Sequence, residues 1–247
     1  MSSSNPIGSP FIELPTVDST NNYAMGLVRA AMAQHGTAVF AHEQTRGKGQ
    51  RNRQWASQKD QNIALSLILE TGSLPSSQLF ILSMAVALAV WRFFNRYVAK
   101  DIKIKWPNDL YWRDRKAAGI LIENLWQGGA WNFAIAGIGI NINQTSFAEL
   151  SSKAVSLKQI LNQEFDTVAL AKQVCEEMNK SFSLLLKDPS EIISSYSSKL
   201  YKLEEEVRLK KDNRIFQARV RGVNTMGQLM VEHGVEEVFN VGEVEWV

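Results

Sequence analysis

The sequence has very few residues of the kinds that form disulfides and metal sites. Its 247 residues include one cysteine, Cys175, and three histidines. A single cysteine excludes an intrachain disulfide and is typical of a reducing compartment, so we expect a cytoplasmic protein. The histidines His35, His42 and His233 are scattered, without the spacing of zinc ligands. A structural metal site is therefore not predicted.

The chain also lacks a strong net charge, a targeting segment and a membrane-length apolar run. Its formal net charge of +2 is too small to attract nucleic acid or membranes to the whole molecule. Residues 1–10 have no apolar core of the kind that a signal peptide needs and are predicted to form a flexible tail. The run Leu79–Phe94 is interrupted at Arg92 and falls short of the ~20 residues of a membrane span. We predict a buried helix that continues to about Ala99.

One polar segment between two predicted strands carries groups suited to chemistry. Residues Ile102–Trp106 alternate as in a strand, which Pro107 ends because proline has no amide hydrogen for a sheet ladder. Asn108 and Asp109 favour a tight turn, and Lys116 follows at the start of the next apolar run. A carboxylate, an amide and a lysine are thus predicted to meet at adjacent strand ends, where α/β folds place ligands. A hairpin without a site is the alternative.

A loop upstream of this segment, residues 44–55, is rich in glycine and cations. Its cations are Arg46, Lys48, Arg51 and Arg53. Glycine lets backbone amides approach a ligand closely, and successive amides form anion-binding concavities. The chain lacks the Gly-x-x-x-x-Gly-Lys-Ser/Thr phosphate loop. The loop therefore predicts a different anion site, with a solvated surface loop or a nucleic-acid contact as alternatives.

The remaining pattern predicts a large domain at residues 11–200 and a small one at residues 201–247. In the large domain, strands are predicted at Thr37–Glu43, Ile63–Leu69, Ala118–Leu125 and Phe133–Ile142. Helices are predicted at Thr167–Lys187, with Asp166 as N-cap, and from Pro189 to about Leu200. In the small domain, strands are predicted at Glu206–Lys210, Arg214–Val223 and Gln228–Val231, with a turn at 224–227 and a last pair within Val238–Val247. About 45 residues of such strands favour a small β-barrel.

Four blocks of residues carry a resemblance to a known family. They are Asp18–Asn21, Gln44–Trp55, Lys105–Gly119 and Gly137–Asn141. From about residue 11 onward the chain resembles the biotin protein ligases, and Trp-Pro-Asn-Asp followed by Lys-x-x-Gly is the most specific part of that resemblance. Some members carry an N-terminal DNA-binding domain. Because Asp18 lies so close to Met1, we expect a short form without it and no binding to DNA.

The resemblance implies an α+β fold and a particular reaction. The expected fold is a class II synthetase-like catalytic domain, with a mixed sheet flanked by helices, and a small SH3-like C-terminal β-barrel. The expected reaction is the ATP-dependent ligation of biotin to a lysine of a biotin carboxyl carrier domain, that of acetyl-CoA carboxylase, by way of biotinyl-5′-AMP. Mg²⁺ accompanies ATP. Family members dimerise by pairing strands across subunits, so a homodimer is among the implied partners, whereas a membrane is not.

The resemblance also implies roles for single residues. Lys116 would be the catalytic residue that bridges the biotin carboxyl oxygen and the α-phosphate. The implied biotin site comprises Ser19, Thr20, Asn21, Gln44, Lys48, Gly49, Gln50, Lys116 and Gly119. The implied ATP and adenylate site comprises Gly47, Lys48, Gln50, Arg51, Trp55, Asn108, Asp109 and Asn141. Asp109 is also the implied Mg²⁺ ligand.

The glycine-rich loop departs from the family's usual Gly-Arg-Gly-Arg-x-Gly-Arg. Lys48 keeps the charge but lacks the bidentate fork of arginine, Gln50 is neutral, and Asn52 replaces a glycine. We therefore expect the adenylate to be retained more weakly or held differently.

Two other functions stay open at this point. One is a lipoate or octanoate ligase or transferase of the same superfamily, although its Arg-Arg-x-x-Gly-Gly-Gly stretch is missing here. The other is a non-catalytic biotin-binding module, which the presence of Lys116 disfavours.

Overall fold

The computed structural model describes residues 5–147 and 153–247, which form two sheets and the helices that pack on them. The strands of the larger sheet are β1 (Phe11–Leu14), β2 (Ala38–Ala41), β3 (Asn62–Glu70), β4 (Ile102–Lys105), β5 (Asp109–Trp112), β6 (Arg115–Gln127) and β7 (Ala130–Asn141). They lie in the order β1-β2-β3-β7-β6-β5-β4. The β1–β2 pair is parallel and the other pairs are antiparallel. The predicted mixed sheet is confirmed.

Helices cover both faces of this sheet. They are α1 (Thr20–Arg29), α2 (Leu79–Asn95), α3 (Leu157–Leu161), α4 (Thr167–Lys187) and α5 (Pro189–Ser198). Helix α1 packs on one face through Ala24 and Val28, while α2 and α4 pack on the other. The predicted N-cap of α4 is confirmed, because the Asp166 carboxylate accepts hydrogen bonds from the second and third amides of the helix. The α+β class follows from this arrangement.

Helix α2 is the buried helix that the sequence predicts, although its bounds differ. With the 3₁₀ turn before it, the helical segment Ser76–Asn95 has 20 residues and is apolar enough to pass a length-and-hydropathy test for a membrane span. Length therefore does not exclude a span, contrary to the prediction from the interrupted run. Burial decides, since every residue from Met84 to Val90 is buried against the sheet, α4 and α5. The helix ends at Asn95, short of the predicted Ala99.

The face of the sheet under α1 is hollowed by small residues. Side chains alternate along β3, so Leu65 and Leu67 join the large core while Ala64 and Ser66 lie on the α1 face with Ile68. The register of β3, β7 and β6 sets further small residues beside them. The small residues of this face are Ala64, Ser66, Gly119, Gly137 and Gly139. They leave room for a ligand between the sheet and the start of α1.

The second sheet is a small C-terminal β domain, as predicted. Its strands are β8 (Glu206–Lys211), β9 (Arg214–Val223), β10 (Leu229–Glu232), β11 (Glu236–Phe239) and β12 (Glu245–Trp246). They lie in the order β11-β10-β9-β8-β12. The expected last pair is wrong: β11 and β12 form opposite edges, because β11 continues the hairpin from β10 while β12 returns to β8. The boundary at residue 201 stays a prediction, since one hydrophobic core joins the two sheets.

The predicted turn at 224–227 is confirmed and joins the small sheet to the large domain. The Asn224 side-chain oxygen accepts from the amides of Met226 and Gln228. The indole of Trp106 donates to the carbonyl of Gly227 over 2.9 Å. Gly227 has a φ of +85°, and a Cβ there would lie 2.3 Å from the ring of Phe80.

Replacing Gly227 with alanine is expected to lower the free energy of unfolding by about 2–3 kcal/mol, because the left-handed backbone and the Phe80 ring both oppose a Cβ. Urea unfolding measures the change. Gly72→Ala is the matched control, since a Cβ at Gly72 meets open space. Equal losses in the two variants would contradict this account of the junction.

Candidate active site

A pocket opens on the hollowed face beside the first turn of α1. It encloses about 470 Å³, its solvent-open mouth included. Most of the residues predicted for the site line it. They are Ser19, Thr20, Asn21, Gln44, Lys48, Gly49, Gln50, Trp55, Asn108, Lys116 and Gly119. The four sequence blocks therefore meet in one place, although they are spread over more than half of the chain.

The floor of the pocket is a buried network of polar side chains. The Gln44 side-chain oxygen accepts from the amide of Thr20 over 2.8 Å and lies 3.1 Å from the Thr20 hydroxyl oxygen. The Ser66 hydroxyl lies 2.8 Å from the Thr20 hydroxyl and 2.6 Å from Oδ1 of Asn21. Thr20, Asn21 and Ser66 are each less than 5% exposed. Buried polar groups in this number suit a ligand that is itself rich in hydrogen-bonding groups.

Lys116, which lines the pocket, forms an ion pair with Asp109 on the neighbouring strand. Lys116 Nζ lies 2.7 Å from Asp109 Oδ1. In the described part of the chain that oxygen has no aligned hydrogen bond, so the contact is an ion pair. Asn108 fastens the turn, because its side chain donates to the Ile120 carbonyl over 2.7 Å. The predicted meeting of carboxylate, amide and lysine is confirmed.

The indole of Trp55 packs against two glycines of the pocket. A Cβ on Gly139 would lie 2.4 Å from the indole, and one on Gly119 would lie 3.1 Å from it. The Trp55 amide donates to the Gly47 carbonyl, which closes the base of the 44–55 loop. A Cβ on Gly47 would lie 2.4 Å from the Trp55 carbonyl oxygen, so Gly47 permits this closure. The loop is thus folded over the pocket, with Lys48 at its edge.

Four residues predicted for the nucleotide side lie outside the pocket lining. They are Gly47, Arg51, Asp109 and Asn141. Asp109 reaches the pocket through Lys116, and Gly47 supports Trp55. Arg51 is exposed, and its guanidinium lies against Gly242 of the small sheet. Their contact with nucleotide stays a prediction.

Asn141 is buried behind Lys116 rather than beside the pocket. Its side-chain nitrogen lies 3.3 Å from the carbonyl oxygens of both Lys116 and Val155. The first contact holds the main chain at the start of β6, and the second holds Val155, whose amide donates to the Lys116 carbonyl. The structure therefore gives Asn141 a supporting position for the Lys116 backbone.

Four residues that shape the pocket had no site role predicted from the sequence, namely Ser66, Glu123, Gly137 and Gly139, although the two glycines lie in one of the four blocks. Two signals were present. A polar residue interrupts each of the apolar runs that form β3 and β6, and the two glycines of β7 alternate, so that both lie on one face. A Cβ on Gly137 would lie 2.3 Å from the Asn21 side chain, so this glycine lets α1 approach the sheet.

The small sheet supports the strands that carry Asp109. Lys105 Nζ lies 4.4 Å from the centre of the Tyr111 ring, 5.2 Å from that of Trp246 and 5.3 Å from that of Tyr201. Burial lowers the pKa of Lys105. Burial also raises the pKa of Tyr111 to about 12, so the phenol stays neutral. This aromatic enclosure fixes β12 against β4, next to the Asp109 turn.

His42 clamps the end of β2, two residues before Gln44. Its Nε2 lies 2.8 Å from Glu13 Oε1, and its Nδ1 lies 2.6 Å from Asp60 Oδ1. These hydrogen bonds, that to Glu13 first, raise the pKa of His42 above its ordinary value. The clamp is therefore strongest when the imidazole is protonated.

We expect the clamp to make stability depend on pH. Its contribution is complete below the unfolded pKa of about 6.5 and is lost as the pH rises through the higher folded pKa. The free energy of unfolding should therefore decline above about pH 6.5 more steeply in the wild type than in His42→Gln. Urea titrations across this range measure both slopes. Parallel profiles would show that the clamp is not linked to protonation.

Comparisons with known proteins agree with the fold. Residues 13–141 match the model of the biotin/lipoate A/B protein ligase family. The "Bifunctional ligase/repressor BirA" of Escherichia coli is 29% identical over 96% of this chain and 74% of its own length. The "Biotin--[acetyl-CoA-carboxylase] ligase" of Mycobacterium tuberculosis is 27% identical over 82% of this chain and 76% of its own. A structure of biotin protein ligase from Aquifex aeolicus with biotin and ATP superposes with a TM-score of 0.81, at 25% identity, over 96% of this chain and 98% of that one.

The chain belongs to the biotin/lipoate A/B protein ligase family. It is an enzyme of the ligase class: both relatives are named as ligases, one of them a biotin--[acetyl-CoA-carboxylase] ligase, and the superposed structure is of a biotin protein ligase. The family resemblance and the α+β fold predicted from the sequence are both confirmed.

Proposed function

We propose that this chain ligates biotin to a lysine of a biotin carboxyl carrier domain, using ATP and forming biotinyl-5′-AMP as the intermediate. The observation that carries the proposal is the Lys116–Asp109 ion pair, 2.7 Å long, at a pocket whose floor is buried and polar. The relatives are ligases, and the superposed structure holds biotin and ATP. The polar floor of the pocket suits biotin, and the cation of the ion pair suits the phosphate of ATP.

The floor favours biotin over lipoate or octanoate. The ureido ring of biotin has both donors and an acceptor, which Thr20, Asn21 and Gln44 can meet. A dithiolane ring or an alkyl chain offers none, and each buried polar group left unpaired costs roughly 1–3 kcal/mol. Because of this cost, a lipoate or octanoate ligase or transferase is the second candidate.

The first step joins two anions, and Lys116 is placed to offset their repulsion. The biotin carboxylate attacks the α-phosphorus of ATP, and pyrophosphate leaves. An ammonium between the carboxylate and an α-phosphate oxygen stabilises the charge that gathers there. Asp109 holds that ammonium in position. The acceptor lysine amine then attacks the acyl carbon, and AMP leaves.

The chain itself supplies no nucleophile in this scheme. Cys175 is buried in α4, on the opposite side of the sheet from the pocket. Burial raises the pKa of its thiol to about 12, so it stays protonated. Its role is packing, as its sequence context predicts.

The loop of residues 44–55 is proposed to shelter the adenylate from water. Lys48, Gly49 and Gln50 lie at the pocket, and Trp55 covers its glycines. We assign Trp55 to the adenine side and Arg51 to the outer part of the nucleotide. Shielding matters because the mixed anhydride of the intermediate hydrolyses readily.

Mg²⁺ fits the site only as an ion carried largely by the nucleotide. Among the described residues, no three His, Cys, Asp or Glu side chains gather as a metal site. Asp109 is a single carboxylate that already pairs with Lys116. Mg²⁺ commonly binds through one or two carboxylates plus phosphate oxygens and water, and this donor set matches that mode. When bound, the ion would neutralise triphosphate charge.

The proposed acceptor is the carrier domain of an acetyl-CoA carboxylase, because the Mycobacterium tuberculosis relative is named as a ligase of that enzyme. The test incubates the chain with ATP, biotin and a purified carrier domain, and follows the carrier by mass spectrometry. We expect the mass of one biotinyl group to be added, and none on a carrier whose acceptor lysine is arginine. An unmodified wild-type carrier would overturn the choice of acceptor. A homodimer and a cytoplasmic location stay predictions.

A further inference from the structure

Glu123 is a carboxylate beside the pocket floor that the proposed reaction does not use. It follows Gly119 and Leu121 along β6 at a period of two, so it lies on the same face as these two pocket residues. One carboxylate oxygen accepts from the side-chain nitrogen of Asn21 over 2.8 Å. The other lies 3.4 Å from Lys48 Nζ. Glu123 therefore connects the pocket floor to the covering loop.

Glu123 fixes which way the Asn21 amide faces. A carboxylate only accepts hydrogen bonds, so the amide nitrogen of Asn21 must face it. The amide oxygen must then face the other way, where the Ser66 hydroxyl lies 2.6 Å from it. Reversing the amide would set its oxygen against the Glu123 carboxylate and would make the Ser66 hydroxyl an acceptor instead of a donor.

The orientation of the Asn21 amide determines the hydrogen-bond directions of its neighbours on the pocket floor. The Ser66 hydroxyl has one proton, which goes to the Asn21 oxygen, so the Ser66 oxygen is left to accept. The Thr20 hydroxyl lies 2.8 Å away and can donate its one proton to it. The Gln44 oxygen then accepts from the Thr20 amide. The polarity of three neighbouring groups, Asn21, Ser66 and Thr20, is therefore set from one end by Glu123.

We propose that Glu123 is a positioning residue that sets the hydrogen-bond polarity of the pocket floor, and that it thereby selects an acid with a ureido ring over one with an apolar ring or chain. Lys48 provides the countercharge, so that Glu123 does not repel the carboxylate of the entering substrate. The inference rests on the proposed function and concerns the specificity of the same site.

The experiment compares wild type, Glu123→Gln and Glu70→Gln by ATP–pyrophosphate exchange, at varied biotin and at varied ATP. Glutamine keeps the size of the side chain but can present either end of its amide to Asn21. Only the longer contact of the Asn21 nitrogen with the Leu121 carbonyl, 3.4 Å, then favours one orientation. We expect KM for biotin to rise about tenfold, the effect of losing one charge-assisted hydrogen bond, while KM for ATP changes less than about twofold. Glu70 is an exposed glutamate at the end of β3, and its variant should match wild type.

A double-mutant cycle shows whether Glu123 acts through Asn21. Adding Glu123→Gln to Asn21→Ala should raise KM for biotin no further than Asn21→Ala alone. Should Glu123→Gln fail to fold, Ser66→Ala interrupts the same chain of hydrogen bonds one step further on, with the same expected rise. An unchanged KM for biotin, or full additivity in the cycle, would overturn the inference and leave the proposed function intact. A folded wild type without any biotin-dependent exchange would overturn both.

Discussion

Replacing Lys116 with alanine is expected to lower biotin-dependent ATP–pyrophosphate exchange on the order of a thousandfold. The reason is electrostatic. Two anions must come together in the first step, and Lys116 Nζ is held beside the pocket by Asp109 at 2.7 Å. A water molecule in its place cannot carry the charge. Initial exchange rates with labelled pyrophosphate, at saturating biotin and ATP, measure the loss.

Two further variants make this prediction specific. Lys103→Ala removes an exposed lysine of β4, two strands away from Lys116 in the sheet, and should leave the exchange rate unchanged. Lys116→Arg keeps the charge but brings a larger head into a space where Nζ lies 3.1 Å from a Cβ position on Gly119, so partial activity is expected. If Lys116→Ala kept a tenth of the wild-type rate, Lys116 would not be the residue that offsets the repulsion.

Gly137→Ala is expected to raise KM for biotin on the order of a hundredfold, because the new Cβ strikes the Asn21 amide at 2.3 Å. Asn21 cannot move aside cheaply, since its side chain is bonded to both Ser66 and Glu123. Displacing it breaks the floor of the pocket at the centre of its network. Exchange kinetics at varied biotin give the KM, and circular dichroism confirms that the variant folds.

Gly26→Ala is the matched control for this substitution. Gly26 lies on the exposed side of α1, where a Cβ meets open space, and alanine is the better helix former. Its KM for biotin should equal that of wild type. A Gly137→Ala variant that folds and binds biotin as wild type does would disprove the close approach of α1 to the sheet.

The parts of the fold with local signals were predictable. Asp166 caps α4 because an acceptor in front of an amphipathic run satisfies the free amides of the first turn. Pro107, Asn108 and Asp109 end one strand and begin the next within a few residues, so Lys116 returns close to Asp109 by chain geometry alone. Their ion pair needs no information from distant parts of the sequence.

The pocket floor was not predictable in the same way, because it depends on register across the sheet. Ser66 meets Asn21 only because β3 pairs with β7 so that Ser66 stands opposite Gly137. A shift of one residue would turn Ser66 into the core. Glu123 likewise is an isolated charge in the sequence, because only the position of β6 in the sheet brings it next to Asn21. The strand order that separates β11 from β12 is a long-range choice of the same kind.

The most direct test of the whole account is ATP–pyrophosphate exchange by the wild-type chain with biotin, lipoate and octanoate compared side by side. The account predicts exchange that requires biotin and stays at background with the other two acids, because only biotin satisfies the polar floor. Exchange with lipoate or octanoate but not with biotin would contradict that reading of the pocket. The absence of exchange with all three acids, from folded protein, would contradict adenylate chemistry altogether and favour a non-catalytic biotin-binding module.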